Sequence, residues 1–192
     1  QNQSSAASDV YKRQGLDKIL ASIRSAKDDD RIEGISIEHT FLQSGMSQTQ
    51  VIRDALTDFK KSGKFIYAYH DYFRQKDYYL ASVADSVFVH PEGGVELAGL
   101  ASEVLYLKEF QDITGIEMQV IRSGAYKSAV EPFLQNKMSE ENREQIKSLL
   151  DSFWAEMVVK IEERTTLTPK KINEIASSLD ALISANAVQL GV

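Results

Sequence analysis

Short apolar runs alternate with amphipathic helical stretches along this chain, and that alternation limits the folds open to it. Leu16, Ile19, Leu20, Ile23 and Ala26 recur at helical spacing, so Leu16 to Lys27 is predicted to be an amphipathic helix that stops at Asp28-Asp29-Asp30. Ile32 to Glu38 alternates and reads as a strand. Val51, Ile52, Ala55, Leu56 and Phe59 predict a second helix, closed near Ser62-Gly63, and Lys64 to His70 a second strand. Tyr78 to Ala84 reads as a compact apolar helix, and Ser86 to His90 as a third strand ended by Pro91. Helices between strands at roughly 30-residue spacing are the mark of βαβ units. The fold class expected is therefore α/β with a mostly parallel sheet.

Beyond Gly93-Gly94 the pattern changes. Val95 to Val104 predicts a short strand, Leu105 to Gly115 a helix, and Ile116 to Ile121 another strand. Ser139 is placed to cap a long helix with Glu140 and Glu141 in its first turn, where the helix dipole favours acids. Its apolar stripe, from Ile146 to Ile161, is wide and predicts packing on a large apolar surface. Thr168-Pro169 opens a further helix, and Asp180 to Val188 reads as a last short one, so the chain closes in a helical section.

Composition removes several functions. The net charge of −6 disfavours sequence-independent nucleic-acid binding, which needs a basic face. With no cysteine, disulfides, thiolate metal sites and cysteine nucleophiles are excluded. His39, His70 and His90 show no ligand-like spacing and have no serine or acid partner in sequence, so neither a metal nor a cofactor is expected. No phosphate-cradling glycine motif and no G-x-S-x-G elbow occurs. No apolar run reaches membrane-spanning length. Residues 1–14 are polar and aperiodic, resemble translated sequencing-adapter sequence, and are expected to be a disordered, non-native leader. Residues 15–192 are expected to form a single domain, truncated at both ends.

Lys127 stands out among the remaining residues. It follows a predicted strand and Gly124, with Tyr126, Ala129, Val130 and Phe133 around it. A free lysine, with a pKa of about 10.4, is protonated at neutral pH and cannot accept a proton. Burial or a nearby helix N-terminus lowers that value, and a lysine so placed can deprotonate a serine hydroxyl. A lysine after a strand can equally snorkel, with its stem buried and its head in water. The residues by themselves leave both readings open.

The string Gly124-Ala125-Tyr126-Lys127-Ser128-Ala129-Val130-Glu131-Pro132-Phe133 closely resembles the lysine motif of the long-form signal peptide peptidase A family, also called protease IV. Met138-Ser139, the segment Asp77 to Asp85, Val95 to Leu100 and Ser62-Gly63-Lys64 extend the resemblance over about Gly15 to Val192. It implies a ClpP/crotonase-like fold of β-β-α superhelical turns, and a serine endopeptidase working by a Ser-Lys dyad. Lys127 would be the catalytic base of that dyad. The resemblance is to the amino-terminal half, which supplies the lysine, with the serine coming from a second half of the same protein. In the serine-bearing half the nucleophile precedes G-G-Y-Y or a close variant. Here Gln75 stands at that place, and an amide cannot serve as the nucleophile. The loop Leu42-Gln43-Ser44-Gly45-Met46 departs from the family's S-P-G-G-like oxyanion loop. The family further implies substrates that are cleaved signal peptides and other hydrophobic peptides, a tetrameric homo-oligomer, and the extracytoplasmic face of the bacterial cytoplasmic membrane. A crotonase-type acyl-CoA enzyme and a non-catalytic scaffold half are the alternatives.

Overall fold

The computed structural model describes residues 15–39, 42–119 and 128–192. The chain divides into two compact units, one running to Ala98 and resuming from Lys160 to Val192, the other Gly99–Val159.

The first unit carries the alternation that the periodicity predicts. Helix α1 (Leu16–Asp28) leads into β1 (Gly34–Ile37), α2 (Met46–Lys60) into β2 (Phe65–His70), and α3 (Gln75–Ala81) into β3 (Ser86–Val89). The strands form a parallel sheet in the order β1-β2-β3, with Gly34 opposite Phe65 and His70 opposite Val89. Along β2 the side chains alternate. Ile66, Ala68 and His70 point to the buried face, while Phe65, Tyr67 and Tyr69 remain partly exposed on the other. Burial of Leu56 and Phe59 from α2 and of Tyr78, Tyr79 and Leu80 from α3 completes that core. Helix α7 (Pro169–Ser178) buries Ile172 and Ile175. Its cap forms as the sequence predicts, with Thr168 accepting from the Lys171 amide at 3.3 Å and Pro169 in the first turn. Helix α8 (Ser184–Leu190) follows.

Gly93 and Gly94 are required by close approach. A Cβ on Gly94 would lie 1.9 Å from the Leu182 carbonyl oxygen, and one on Gly93 1.7 Å from that of Asp71. The gap they leave lets Val95 donate to Ala181 at 2.8 Å and Ser184 donate to Gly93 at 3.0 Å, which pins the helical section to the loop after β3.

The second unit holds α4 (Lys108–Thr114), the short α5 (Glu131–Leu134) and most of α6 (Glu140–Arg164). Three expectations are corrected. The strand over Val95 to Val104 reduces to a single parallel bridge between Val95 and Phe73, because Gly99, at φ +76, turns the chain away. Ile116 to Gln119 is irregular, with Ile116 56% exposed, and the rest of that expected strand lies outside the described residues. The stripe of α6 is only partly covered. Met157, Val158 and Ile161 are buried, but Leu149 is 53% exposed, so helical periodicity there overstates the packing. Two helices also start early, α2 at Met46 and α3 at Gln75, because polar residues form their first turns. No helix among the described residues is long and apolar enough to cross a membrane.

Candidate functional site

The carboxyl ends of β1 and β2 open into a cleft of about 470 Å³ lined by Glu38, His39, His70, Asp71 and Arg74 among others. Ligand sites of open parallel sheets form at this end, where loops leave the strands. Helix α3 begins here. Arg74 is extended, and Gln75 takes the first helical position, with its side-chain Oε1 accepting from the Ala98 amide at 2.9 Å. The residue that the resemblance sets at the nucleophile position is thus an amide engaged with backbone.

The preceding loop is similarly committed. The Gly45 amide donates to Gln48 Oε1 at 3.1 Å, and the Ser44 and Thr49 hydroxyls share a hydrogen bond of 2.7 Å. Lys76 Nζ donates to the Ser44 carbonyl oxygen. An oxyanion hole requires amides free to point at the developing charge. Here the glycine amide instead caps α2, which also explains why that helix starts at Met46 rather than near Val51.

A cluster that residue spacing did not reveal lies beside Gln75. His39 follows β1, His70 ends β2, and Asp77 sits in the first turn of α3. His39 Nε2 lies 3.0 Å from Asp77 Oδ1, and the two imidazoles meet edge to face at 4.3 Å. Burial by itself would raise the Asp77 carboxyl, but the His39 hydrogen bond and the two imidazoles outweigh it and hold the group below the usual carboxylate range. Burial, followed by repulsion from His39, holds His70 below the ordinary imidazole value. His70 is 6% exposed, and its Nε2 has no hydrogen-bond partner among the described residues. The sequence separates the three residues by 31 and 7 positions, and only the parallel topology joins them. His90 lies apart, its Nδ1 accepting from the Glu92 amide. No cluster suited to a metal ion occurs among the described residues. An Asp-His pair can orient and accept a proton; among the described residues no serine or threonine hydroxyl is hydrogen-bonded to either ring.

The lysine motif divides. Lys127 and the residues before it, from Val120, lie outside the described residues. The motif's second part is firmly held within the second unit. Ser128–Val130 forms a single 3₁₀ turn that runs into α5. Glu131, 6% exposed, accepts from Ser139 Oγ at 2.6 Å and from Asn142 Nδ2 at 3.0 Å. Ser139 caps α6 as expected, its Oγ accepting from the Asn142 amide at 3.2 Å. Pro132 and Phe133 offer their carbonyls to the Leu107 amide at 2.6 Å and to Gln111 Nε2 at 2.9 Å. Glu131, Pro132 and Phe133 therefore tie the segment that follows the lysine to both α4 and α6.

Residues 58–192 match the sequence model of Peptidase family S49. The chain belongs to that family. It is 34% identical over 155 residues to Protease 4 of Haemophilus influenzae, which is 80% of this chain and 25% of that protein. It is 34% identical over 168 residues to Protease 4 of Salmonella typhi, covering 87% of this chain and 27% of the relative. It is also 33% identical over 150 residues to the chloroplastic serine protease SPPA of Arabidopsis thaliana, covering 78% and 22%. The chain thus spans about a quarter of the length of these curated relatives. The S49 match includes α3, Gln75, Asp77 and the whole lysine motif, while β1, His39 and the Ser44-Gly45 loop lie before it.

Proposed function

We propose that this chain is the lysine-supplying half of a Ser-Lys endopeptidase, with Lys127 as its general base and the serine in a second half of the same protein. The observation that carries this reading is Gln75. It holds the first position of α3, where the resemblance puts a serine, and its amide is bonded to Ala98. The capped Gly45 amide supports the same assignment and counts against a crotonase-type acyl-CoA reaction, which needs an oxyanion hole of free amides.

In this mechanism Lys127 is neutral in the ground state. The serine hydroxyl of the other half attacks the scissile carbonyl as Lys127 takes its proton. The resulting ammonium returns that proton to the leaving amine, and an ester to the serine remains. Water hydrolyses the ester with the lysine again accepting a proton, which regenerates the free serine. Tyr126, Ala129, Val130 and Phe133 are the apolar residues next to Lys127 in the sequence that would favour the uncharged amine. The fold is ClpP/crotonase-like, and the substrates are signal-peptide remnants and other hydrophobic peptides. The assembled enzyme is a homo-tetramer at the extracytoplasmic face of a bacterial cytoplasmic membrane.

The test is peptidase turnover by the intact two-half protein. Lys127→Ala is expected to reduce kcat by roughly 10³-fold or more, the scale of losing a catalytic base. Gln75→Ala is expected to leave kcat within about twofold, because the residue is not the nucleophile. The 192-residue chain without the second half is expected to show no turnover. Unchanged turnover in Lys127→Ala would make this half a scaffold.

A further inference from the structure

One face of the β1-β2-β3 sheet is buried, and the other is open. All-parallel sheets are almost always covered on both faces. Strand register places Phe65, Tyr67 and Tyr69 of β2 and Phe88 of β3 on the open side, where the four rings are 39% to 53% exposed. Phe65 and Tyr67 stack with their centres 4.6 Å apart, and Tyr67 meets Phe88 edge to face at 6.1 Å. A Cβ on Gly34 would lie 2.3 Å from the Phe65 ring, so that ring lies across β1. A continuous aromatic surface thus covers all three strands.

Two carboxylates close the carboxyl-terminal end of this surface. Glu38 follows β1 and accepts from Ser36 Oγ at 2.7 Å, and Asp71 follows β2 and accepts from the Tyr69 hydroxyl at 2.9 Å. Both are exposed, and among the described residues neither is paired with a lysine or arginine, Arg74 of the same cleft included. A cation brought here is attracted by the carboxylates and by the faces of the neighbouring rings. Nucleic acid or an anionic lipid surface would be repelled. A second copy of this face would add carboxylates and no cation.

We propose that this face docks an apolar peptide segment with lysine or arginine at one end, its apolar side chains on the rings and its cation at Glu38 and Asp71. An extended segment presents every second side chain to one side, which matches the spacing of Phe65, Tyr67 and Tyr69 along β2. The face is independent of the peptidase reading and uses none of its residues.

Calorimetric titration of the 192-residue chain tests it. The probe is a short synthetic peptide of alternating leucine and serine, blocked at both termini, with lysines at its amino end. One counterpart carries glutamates in place of the lysines, and another serines in place of the leucines. Saturable binding of the probe at one site per chain is expected, weakening as salt is added, with each counterpart at least about tenfold weaker. Tyr67→Thr and Phe88→Thr keep a residue suited to a strand, and each is expected to weaken binding at least about tenfold. Glu38→Gln combined with Asp71→Asn is expected to remove the preference for lysine over glutamate. Phe110→Ser, which alters an exposed aromatic of the second unit, is expected to leave binding unchanged. In the unaltered chain the Tyr67 and Phe88 ring resonances are expected to shift on saturation, a readout that needs no variant. No saturable binding, equal affinity for the glutamate counterpart, or unmoved ring resonances would overturn the proposal. So would self-association of the chain that Tyr67→Thr abolishes and the probe does not displace, which would assign the face to a second copy.

Discussion

Lys64 shows how one side chain settles a conflict that the sequence creates. Three consecutive aspartates follow the last apolar turn of α1, where the helix dipole is negative. Lys64 Nζ resolves this by donating to the carbonyls of Ala26 at 2.7 Å, Lys27 at 2.9 Å and Asp29 at 2.8 Å. Those oxygens belong to the end of α1 and its cap, where helical carbonyls lack intrahelical partners. The lysine thus places a positive charge at the negative end of the dipole and ties β2 to α1. Lys64→Met keeps the apolar stem but removes all three bonds. It is expected to cost about 1–3 kcal/mol, the range for losing charge-assisted hydrogen bonds, measured by urea unfolding. A change of less than a few tenths would mean that water caps the helix equally well. The contact spans 35 to 38 residues, so no local pattern announces it.

Helices α4 and α6 owe their arrangement to residues of the lysine motif itself. Glu131 reaches 8 residues to Ser139 and 11 to Asn142, and so joins the motif to the first turn of α6. Glu131→Gln removes the carboxylate that receives these donors and turns one of its oxygens into a second donor facing them. We expect a loss of about 1–3 kcal/mol, as for a disrupted buried charge-assisted network. The amides of Asn142 and Arg143 should exchange faster with solvent, and unchanged protection would refute the anchoring role. Thr168→Ala should cost about 1 kcal/mol through loss of the α7 cap. The cap pairs Ser139 with Asn142 and Thr168 with Lys171 were legible in sequence because caps act over three residues. So were α1, the sheet strands and α7, whose periodicities are strong. The starts of α2 and α3 were not legible, because polar side chains fill their first turns. The irregular course of Ile116 to Gln119 was not legible either, since apolar alternation gives no sign that a strand lacks a neighbour to pair with.

For the molecule as a whole, the cluster at the carboxyl ends of β1 and β2 couples stability to pH. Spacing gives His39 and His70 no acid partner, and only the strand order brings them together with Asp77. The folded His70 titrates below its ordinary value of 6.5, so as pH falls the unfolded chain takes up the proton first. Its stabilising contribution is therefore full above about 6.5 and declines as pH falls from there through the lower folded value. The folded Asp77 also titrates below its ordinary 3.8, so its contribution is present above that value and is lost as pH falls through the folded one. Two windows follow, the first belonging to the imidazole and the second to the carboxylate. Urea unfolding measured from pH 7.5 to 5.0 is expected to show a decline in stability that His70→Gln makes shallower, whatever that substitution costs at pH 7.5. Asp77→Asn should lower stability throughout the neutral range, because it leaves the His39 pair without its carboxylate at a position only 3% exposed. It should also remove the steeper loss below about pH 4, where the unaltered carboxyl takes up its proton. Parallel curves for the wild type and His70→Gln would show that the buried imidazole does not set the upper window.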